Sequence, residues 1–264
     1  MTRHRNPTDQ GPKGICAATV GQLQTNLKRF EKIIEMKTKI AVTSVSPLVG
    51  RHKYKPSREL LLKIARKDAG FKDNKNTTFS KIEDSLRKTS FCAWFCNATV
   101  VSNKMRIVSR SIVNKTCTKF KCNKYKSSFY NFFHKQRGIV QESKAIRAYQ
   151  FQAKSQVTSQ QACVEIDRPT YKIIGKIDGI CNNQVVEIKC RSSKIKIIPK
   201  WEIDQLSLYC FALQMPGLLV EYNNGTLTST EYSLEFVNER VANLLELLQA
   251  KISEIQNLVT VLKK

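Results

Sequence analysis

At 264 residues, with 41% of them hydrophobic, the chain can bury a sizeable core, either as one large domain or as a small domain joined to a larger one. Its 45 Lys and Arg against 21 Asp and Glu leave a formal charge of +24, an excess that attracts polyanions, nucleic acid first and an anionic membrane surface second. The alternative is a basic surface that serves solubility alone.

The opening MTRHRNPTDQGPKG lacks the apolar centre of a signal peptide, and no run approaches the roughly 18 apolar residues of a membrane span. Nine scattered cysteines do not resemble a disulfide framework. The expectation is an intracellular protein of the nucleus or cytoplasm, neither secreted nor membrane-bound, in which the Asn-x-Thr triplets at Asn76, Asn97, Asn114 and Asn224 are chance matches.

In chain order, residues 1 to about 17 are polar and rich in Pro and Gly, a disordered pattern. Val20, Leu23, Leu27, Phe30 and Ile34 then recur at helical spacing and predict a helix to about Lys37. Residues 44–57, SVSPLVGRHKYKPS, read as a linker or loop. Shorter helical patterns follow around Glu59–Lys67 and Phe79–Lys88, so residues 1–90 are expected to form a basic, mainly helical N-terminal region and 91–264 a second domain.

Between Phe91 and Phe133 lie Cys92, Cys96, Cys117 and Cys122. Thiolates from two short loops can complete a tetrahedral zinc site, but these spacings are looser than the usual two-residue knuckle and no glycine supports either turn. Buried, reduced thiols are the expectation. Tyr125, Phe129, Tyr130, Phe132 and Phe133, interleaved with Lys124, Lys126, Lys135 and Arg137, could stack on unpaired bases, although core packing is the commoner fate of such aromatics.

A helix is predicted from about Arg137 to Ala153, with Glu142, Ala145 and Tyr149 on one face. Strands follow at Ala162–Ile166, Tyr171–Ile177 and Gln184–Cys190, the last entered through a hairpin turn at Asn182-Asn183. Another helix spans about Ile203–Gln214. Strands at Leu218–Tyr222 and Thr228–Phe236 come next, and the series Val241, Leu245, Leu248, Ile252, Ile255, Val259, Leu262 predicts a long closing helix.

The chemistry concentrates in IDGICNNQVVEIKC, residues 177–190. Asp178 ends one strand, while Glu187 and Lys189 share a face of the next, because side chains alternate along a strand. Folded back at Asn182-Asn183, the hairpin brings the three charges together at one end of a sheet. Two carboxylates there form a hard oxygen site for Mg²⁺ or Mn²⁺, to which the carbonyl of Ile188 could add a ligand. Metal-assisted phosphodiester hydrolysis suits this arrangement: Lys189 would position the attacking water or stabilise the transition state, and Glu142 would complete the metal shell directly or through water. The competing reading, a turn aspartate beside an exposed Glu–Lys pair, fits poorly with the apolar Val185, Val186 and Ile188, which mark a central strand.

The order Glu142 in a Gly-x-x-x-Glu-x-x-Ala helix, then Asp178-Gly179, then Glu187-Ile188-Lys189, then Gln205 in a following helix resembles the PD-(D/E)XK nucleases, most closely the lambda exonuclease and YqaJ branch that includes viral alkaline nucleases. The resemblance covers roughly residues 104–240. It implies an α/β, restriction-endonuclease-like core, a mixed central β-sheet flanked by helices, with Asp178 and Glu187 on the metal, Lys189 catalytic and Gln205 holding DNA near the scissile phosphate. The stretch Arg106 to Ser111, with Arg110, resembles the segment in which family exonucleases grip a terminal 5′ phosphate, although the usual Thr-Ala-Ser is absent; ordinary backbone contact is the alternative for the two arginines.

The implied activity is Mg²⁺-dependent 5′ to 3′ exonuclease action on duplex DNA ends in recombination or replication. A homo-oligomer and a single-strand annealing protein are the further partners it suggests. A structure-specific or nicking endonuclease, and a noncatalytic DNA-binding protein that keeps the fold, are the alternatives.

Overall fold

A computed structural model describes residues 37–52, 57–71, 77–98, 101–191, 197–223 and 225–263. The chain divides into two units, Met1–Lys37 and Thr38–Lys264, and every described helix and strand belongs to the second. The helix expected before Lys37 lies outside the described residues.

The elements run β1 (Thr38–Ala41), α1 (Val42–Leu48), α2 (Ser57–Asp68), α3 (Thr77–Arg87), α4 (Ser90–Asn97), α5 (Asn103–Lys119), a 3₁₀ turn (Asn123–Tyr125), α6 (Lys126–Phe129), α7 (Phe132–Ala153), β2 (Cys163–Asp167), β3 (Tyr171–Lys176), β4 (Gly179–Cys181), β5 (Gln184–Cys190), α8 (Lys200–Leu213), β6 (Gly217–Asn223), β7 (Thr226–Tyr232) and α9 (Leu234–Leu262). They make a mixed α/β architecture, as the sequence led one to expect.

The strands form two sheets of order β1-β3-β2 and β4-β5-β6-β7. Parallel pairing joins β1 to β3 and β5 to β6, and the remaining pairs are antiparallel. Central β5 is covered on both faces. Val185 and Leu219 enter a core with Leu206 and Tyr209 of α8 and Val241, Leu244 and Leu248 of α9. Val186, Ile188, Leu218 and Val220 pack instead on Ala145, Ile146 and Tyr149 of α7.

Two expectations give way. The segment expected as a linker from residue 44 opens inside α1, because Val42, Val45 and Leu48 bury into the main core at helical spacing and Pro47 falls in the last turn, where it interrupts little. The last strand stops at Tyr232: Ser233 caps α9, its hydroxyl accepting the Phe236 amide at 3.2 Å, so Phe236 belongs to the helix. Residues from both sides of position 90 share structure. Ile40, Val45, Leu61 and Ile64 pack in the core of the sheet, while Ile82 and Leu86 join Cys92, Phe95 and Phe133 in a separate helical core. No described helix is long and apolar enough to cross a membrane.

Candidate active site

Asp178 stands where the chain passes from one sheet to the other, between β3 and β4. The passage is tight: a Cβ on Gly179 would lie 2.1 Å from Val157 Cγ1, so only glycine lets that segment cross. Asn182 and Asn183, at φ of 50° and 58°, supply the left-handed pair that a two-residue hairpin needs. The returning strand pairs Gly179 with Val186, which puts the Ile188 amide within reach of Asp178; it donates to Oδ2 at 2.7 Å. The hairpin therefore closes as its sequence requires.

On β5, Glu187 and Lys189 point to the α8 side, on the same face as Val185. Glu187 is only 2% exposed. Lys189 Nζ donates to Glu187 Oε1 at 2.5 Å and to Gln205 Oε1 at 3.1 Å, while Gln205 Nε2 donates to Glu187 Oε1 at 2.8 Å and to the Tyr209 hydroxyl at 3.3 Å. A Cβ on Gly175 would come within 2.5 Å of the Tyr209 ring, so this glycine makes room for it. One step further along the same face, Arg191 grips Glu202 of α8 through two hydrogen bonds, 2.8 and 2.5 Å, and Glu221 of β6 through a third of 2.7 Å. Glu187 and Lys189 thus both bond Gln205, and Arg191 bonds Glu202 one turn earlier, contacts that fix α8 over β5.

The electrostatics are unbalanced toward negative charge. Burial pushes the Glu187 acid up to about 7; Lys189 opposes the shift, and Asp178 and Glu142 add like-charge repulsion. Burial also raises Asp178, against the pull of the Ile188 amide and Lys189. For Lys189, burial disfavours the ammonium, but Glu187 outweighs it and holds the group above the ordinary lysine range. Glu187 Oε2 is buried without a hydrogen-bond partner among the described residues. A hard divalent cation would satisfy that oxygen and neutralise the excess, and oxygen is the donor it prefers.

Glu142 arrives from the other side of the sheet. It lies on the α7 face that packs against Val186 and Ile188, where Gln161 Nε2 donates to it at 3.3 Å. Burial raises its acid, and Asp178 raises it further. Among the described residues no three His, Cys, Asp or Glu side chains converge as a metal shell.

Arg106 and Arg110, one turn apart on α5, line a cavity of about 290 Å³ with Ser109, Tyr130, Asn131 and His134. Ser111 is exposed and does not line it; Ser109 does, although its hydroxyl donates to the Arg106 carbonyl at 2.7 Å. Burial, then the charges of Arg106 and Arg137, keep His134 below the ordinary histidine range. Of the aromatics between 125 and 133, Phe129, Phe132 and Phe133 are core, whereas Tyr130 faces the cavity. Cys92 and Cys96 sit with sulfurs 4.0 Å apart inside the helical core, which Cys117 shares.

Sequence reasoning missed Tyr209, Arg191, Glu202 and Glu221. A Gln-x-x-x-Tyr spacing on α8 was the available signal for Tyr209, one helical turn beyond Gln205.

Half-buried Asp178, Lys189 and the buried Glu187 at the end of a mixed sheet, with Gln205 reaching Glu187 and Lys189 from α8, keep the order that resembles the PD-(D/E)XK nucleases. The chain belongs to the YqaJ-like viral recombinase domain family, whose model matches residues 34–215. It is similar to the crystal structures of an alkaline exonuclease from Laribacter hongkongensis, with dAMP (15% identity, 86% of this chain and 95% of that chain, TM-score 0.46) and alone (15%, 86% and 95%, TM-score 0.44). A protein of Eubacterium rectale is similar at 13% identity over 93% of this chain and 88% of that chain, with a TM-score of 0.45. No curated protein matches the sequence.

Proposed function

We propose that the protein is a divalent-metal-dependent deoxyribonuclease, a 5′ to 3′ exonuclease acting on duplex DNA ends. The observation that carries this reading is Glu187: a buried carboxylate with one oxygen unpartnered among the described residues, within electrostatic reach of Asp178 and bonded to Lys189. Natural proteins retain such a costly arrangement where a site uses it.

Asp178 and Glu187 would hold the cation, with the Ile188 carbonyl and Glu142 as further donors. When bound, Mg²⁺ or Mn²⁺ supplies charge neutralisation at the phosphate and a lowered pKa for the attacking water. Lys189, held protonated by Glu187, places a positive charge where the phosphate accumulates negative charge during attack. Water adds to phosphorus, the P–O3′ bond breaks, and the oxygen of the preceding sugar leaves as a hydroxyl after taking a proton. Gln205, fixed between Lys189, Glu187 and Tyr209, restrains both charged groups so that their positions are set before substrate arrives.

The net charge of +24 suits a DNA backbone. The Arg106–Arg110 cavity, walled by the same face of α7 that carries Glu142, supports action at an end that bears a phosphate. The test is to incubate end-labelled linear duplex and closed circular DNA with Mg²⁺. Loss of the linear DNA with surviving circles is expected; cleaved circles would make it an endonuclease, and no cleavage of either would refute the nuclease.

A further inference from the structure

The helical segment from residue 77 to 153 holds 15 Lys and Arg against 3 Asp and Glu, so the positive excess of the chain is concentrated there. Within it α4 and α7 lie side by side: Gln141 Nε2 donates to the Cys96 carbonyl at 2.9 Å and Lys144 Nζ to Asn97 Oδ1 at 3.3 Å. Trp94 stands one turn before Asn97 on the same face of α4, 57% exposed, with its ring held 5.5 Å from that of Phe91. Lys144, Arg147 and Phe151 lie about 200°, 140° and 180° around α7 from Glu142, on the side turned away from it. Phe151 is 88% exposed, more than any other large apolar side chain among the described residues.

Single exposed apolar side chains are common and ask for no explanation. Here two aromatic rings flank two cations, and neither α4 nor the outer face of α7 carries an acid. A protein partner would need an apolar centre free of charge, which Lys144 and Arg147 interrupt. A strand of unpaired nucleotides needs rings for its bases and cations for its phosphates, and this surface offers both. Of the aromatics between 125 and 133, by contrast, Phe129, Phe132 and Phe133 are spent on the core.

We propose that the outer face of α4 and α7 is a binding track for single-stranded DNA, with bases stacked on Trp94 and Phe151 and the backbone held between them by Lys144 and Arg147. Seven residues carry α7 from Lys144 to Phe151, about 10 Å along the axis, so more than one nucleotide fits along the track. The nuclease reading supplies a source for such a strand, the one left when its complement is degraded; the track itself rests on this surface alone.

Trp94 and Trp201 are the two tryptophans of the chain, so Trp201→Phe leaves Trp94 as the only reporter. In EDTA, oligo(dT) of about 15 nucleotides should quench its emission saturably, and an abasic strand of the same length should not. Unchanged emission once a fluorescein-labelled oligo(dT) is bound, as read by anisotropy, would put the strand elsewhere and overturn the proposal. Equal quenching by the abasic strand would overturn it too, by reducing the face to a patch of charge. Phe151→Ala, at a position too exposed to disturb the fold, should weaken oligo(dT) binding about 5- to 10-fold while leaving a 5′-hydroxyl hairpin duplex bound within about twofold. Undiminished oligo(dT) affinity refutes the track, and so does an equal loss for the duplex, which marks ordinary backbone contact. A wild type that cleaves no DNA refutes the nuclease instead; these binding measurements need no cleavage and still decide the track.

Discussion

Helix α8 carries two neighbouring polar residues that serve two buried carboxylates in opposite ways. Asp204, fully buried, is surrounded by compensation: Ser46 Oγ donates to Oδ2 at 2.5 Å, and Arg240 and Arg51 lie 2.6 and 3.5 Å from Oδ1, which is held by charge rather than by an aligned hydrogen bond. Gln205, the next residue, reaches Glu187, a carboxylate almost as deeply buried, whose counter-charge Lys189 is shared with Asp178, Glu142 and Glu202 and whose Oε2 has no partner among the described residues. One carboxylate ties α1, α8 and α9 together. The other lacks such compensation among the described residues, and on that shortfall the proposed cation site rests.

The contrast breaks most sharply at the site itself. Asp178→Asn, Glu187→Gln or Lys189→Ala should each lower nuclease rate by on the order of 10³-fold or more while leaving duplex binding within about threefold, measured by end-label release and by electrophoretic shift in EDTA. Full activity in any one of them would remove that residue from the mechanism.

Asp204→Ala should act on stability. It leaves the buried Ser46 hydroxyl and the partly exposed Arg51 and Arg240 without their shared carboxylate, a change worth about 1–3 kcal/mol. A urea midpoint equal to that of the wild type would show that the network is ornamental.

Glu187→Gln should do the reverse in metal-free protein. The acid is raised from an unfolded value of 4.5 to about 7, so the folded state retains a proton that the unfolded state releases between those limits. Wild-type stability accordingly falls as pH rises from about 4.5 to 7 and stays low above it, whereas the glutamine variant escapes that loss. At pH 8 the variant should be more stable by about 1–3 kcal/mol, and near pH 4 the difference should vanish. Added Mg²⁺ should raise the Tm of the wild type and do little for the variant. Identical pH profiles in EDTA would mean that Glu187 is not strained.

The same contrast shows what a single sequence can reveal. Charges at Glu187 and Lys189 within an apolar strand conflict locally with burial, and such conflicts are visible without a structure. The position of Asp178 beside Ile188 of β5 was legible because Asn182-Asn183 dictates the hairpin. The Arg191–Glu202–Glu221 clamp and the Asp204 network were not, since each joins elements whose register is set only by packing. Arg191, Glu202 and Asp204 look like surface charges until β5, β6, α1, α8 and α9 are assembled. The α1 helix was hidden by Ser and Pro, whose local preferences the burial of Val42, Val45 and Leu48 overrides. Glu142 could be placed on a helix face but not on a side of the sheet, and the cavity-lining Ser109 lies two residues from the expected Ser111, a shift that rotates the side chain around α5.

That shift frames the smallest expected effect. Arg106 and Arg110 face the cavity without a carboxylate among its lining residues, so a terminal phosphate would meet them uncompensated. Replacing either with alanine should cost about 10-fold on 5′-phosphorylated ends, near 1.4 kcal/mol for one charged hydrogen bond. Hydroxyl-ended DNA gains nothing from the cavity and should be cut at nearly the wild-type rate. Ser111→Ala, on an exposed part of α5, should leave both rates within about twofold. If the arginine variants instead slow both kinds of end equally, the pair are ordinary backbone contacts, and raising salt should then erase the difference from wild type, because distributed phosphate contacts weaken together with counterion release.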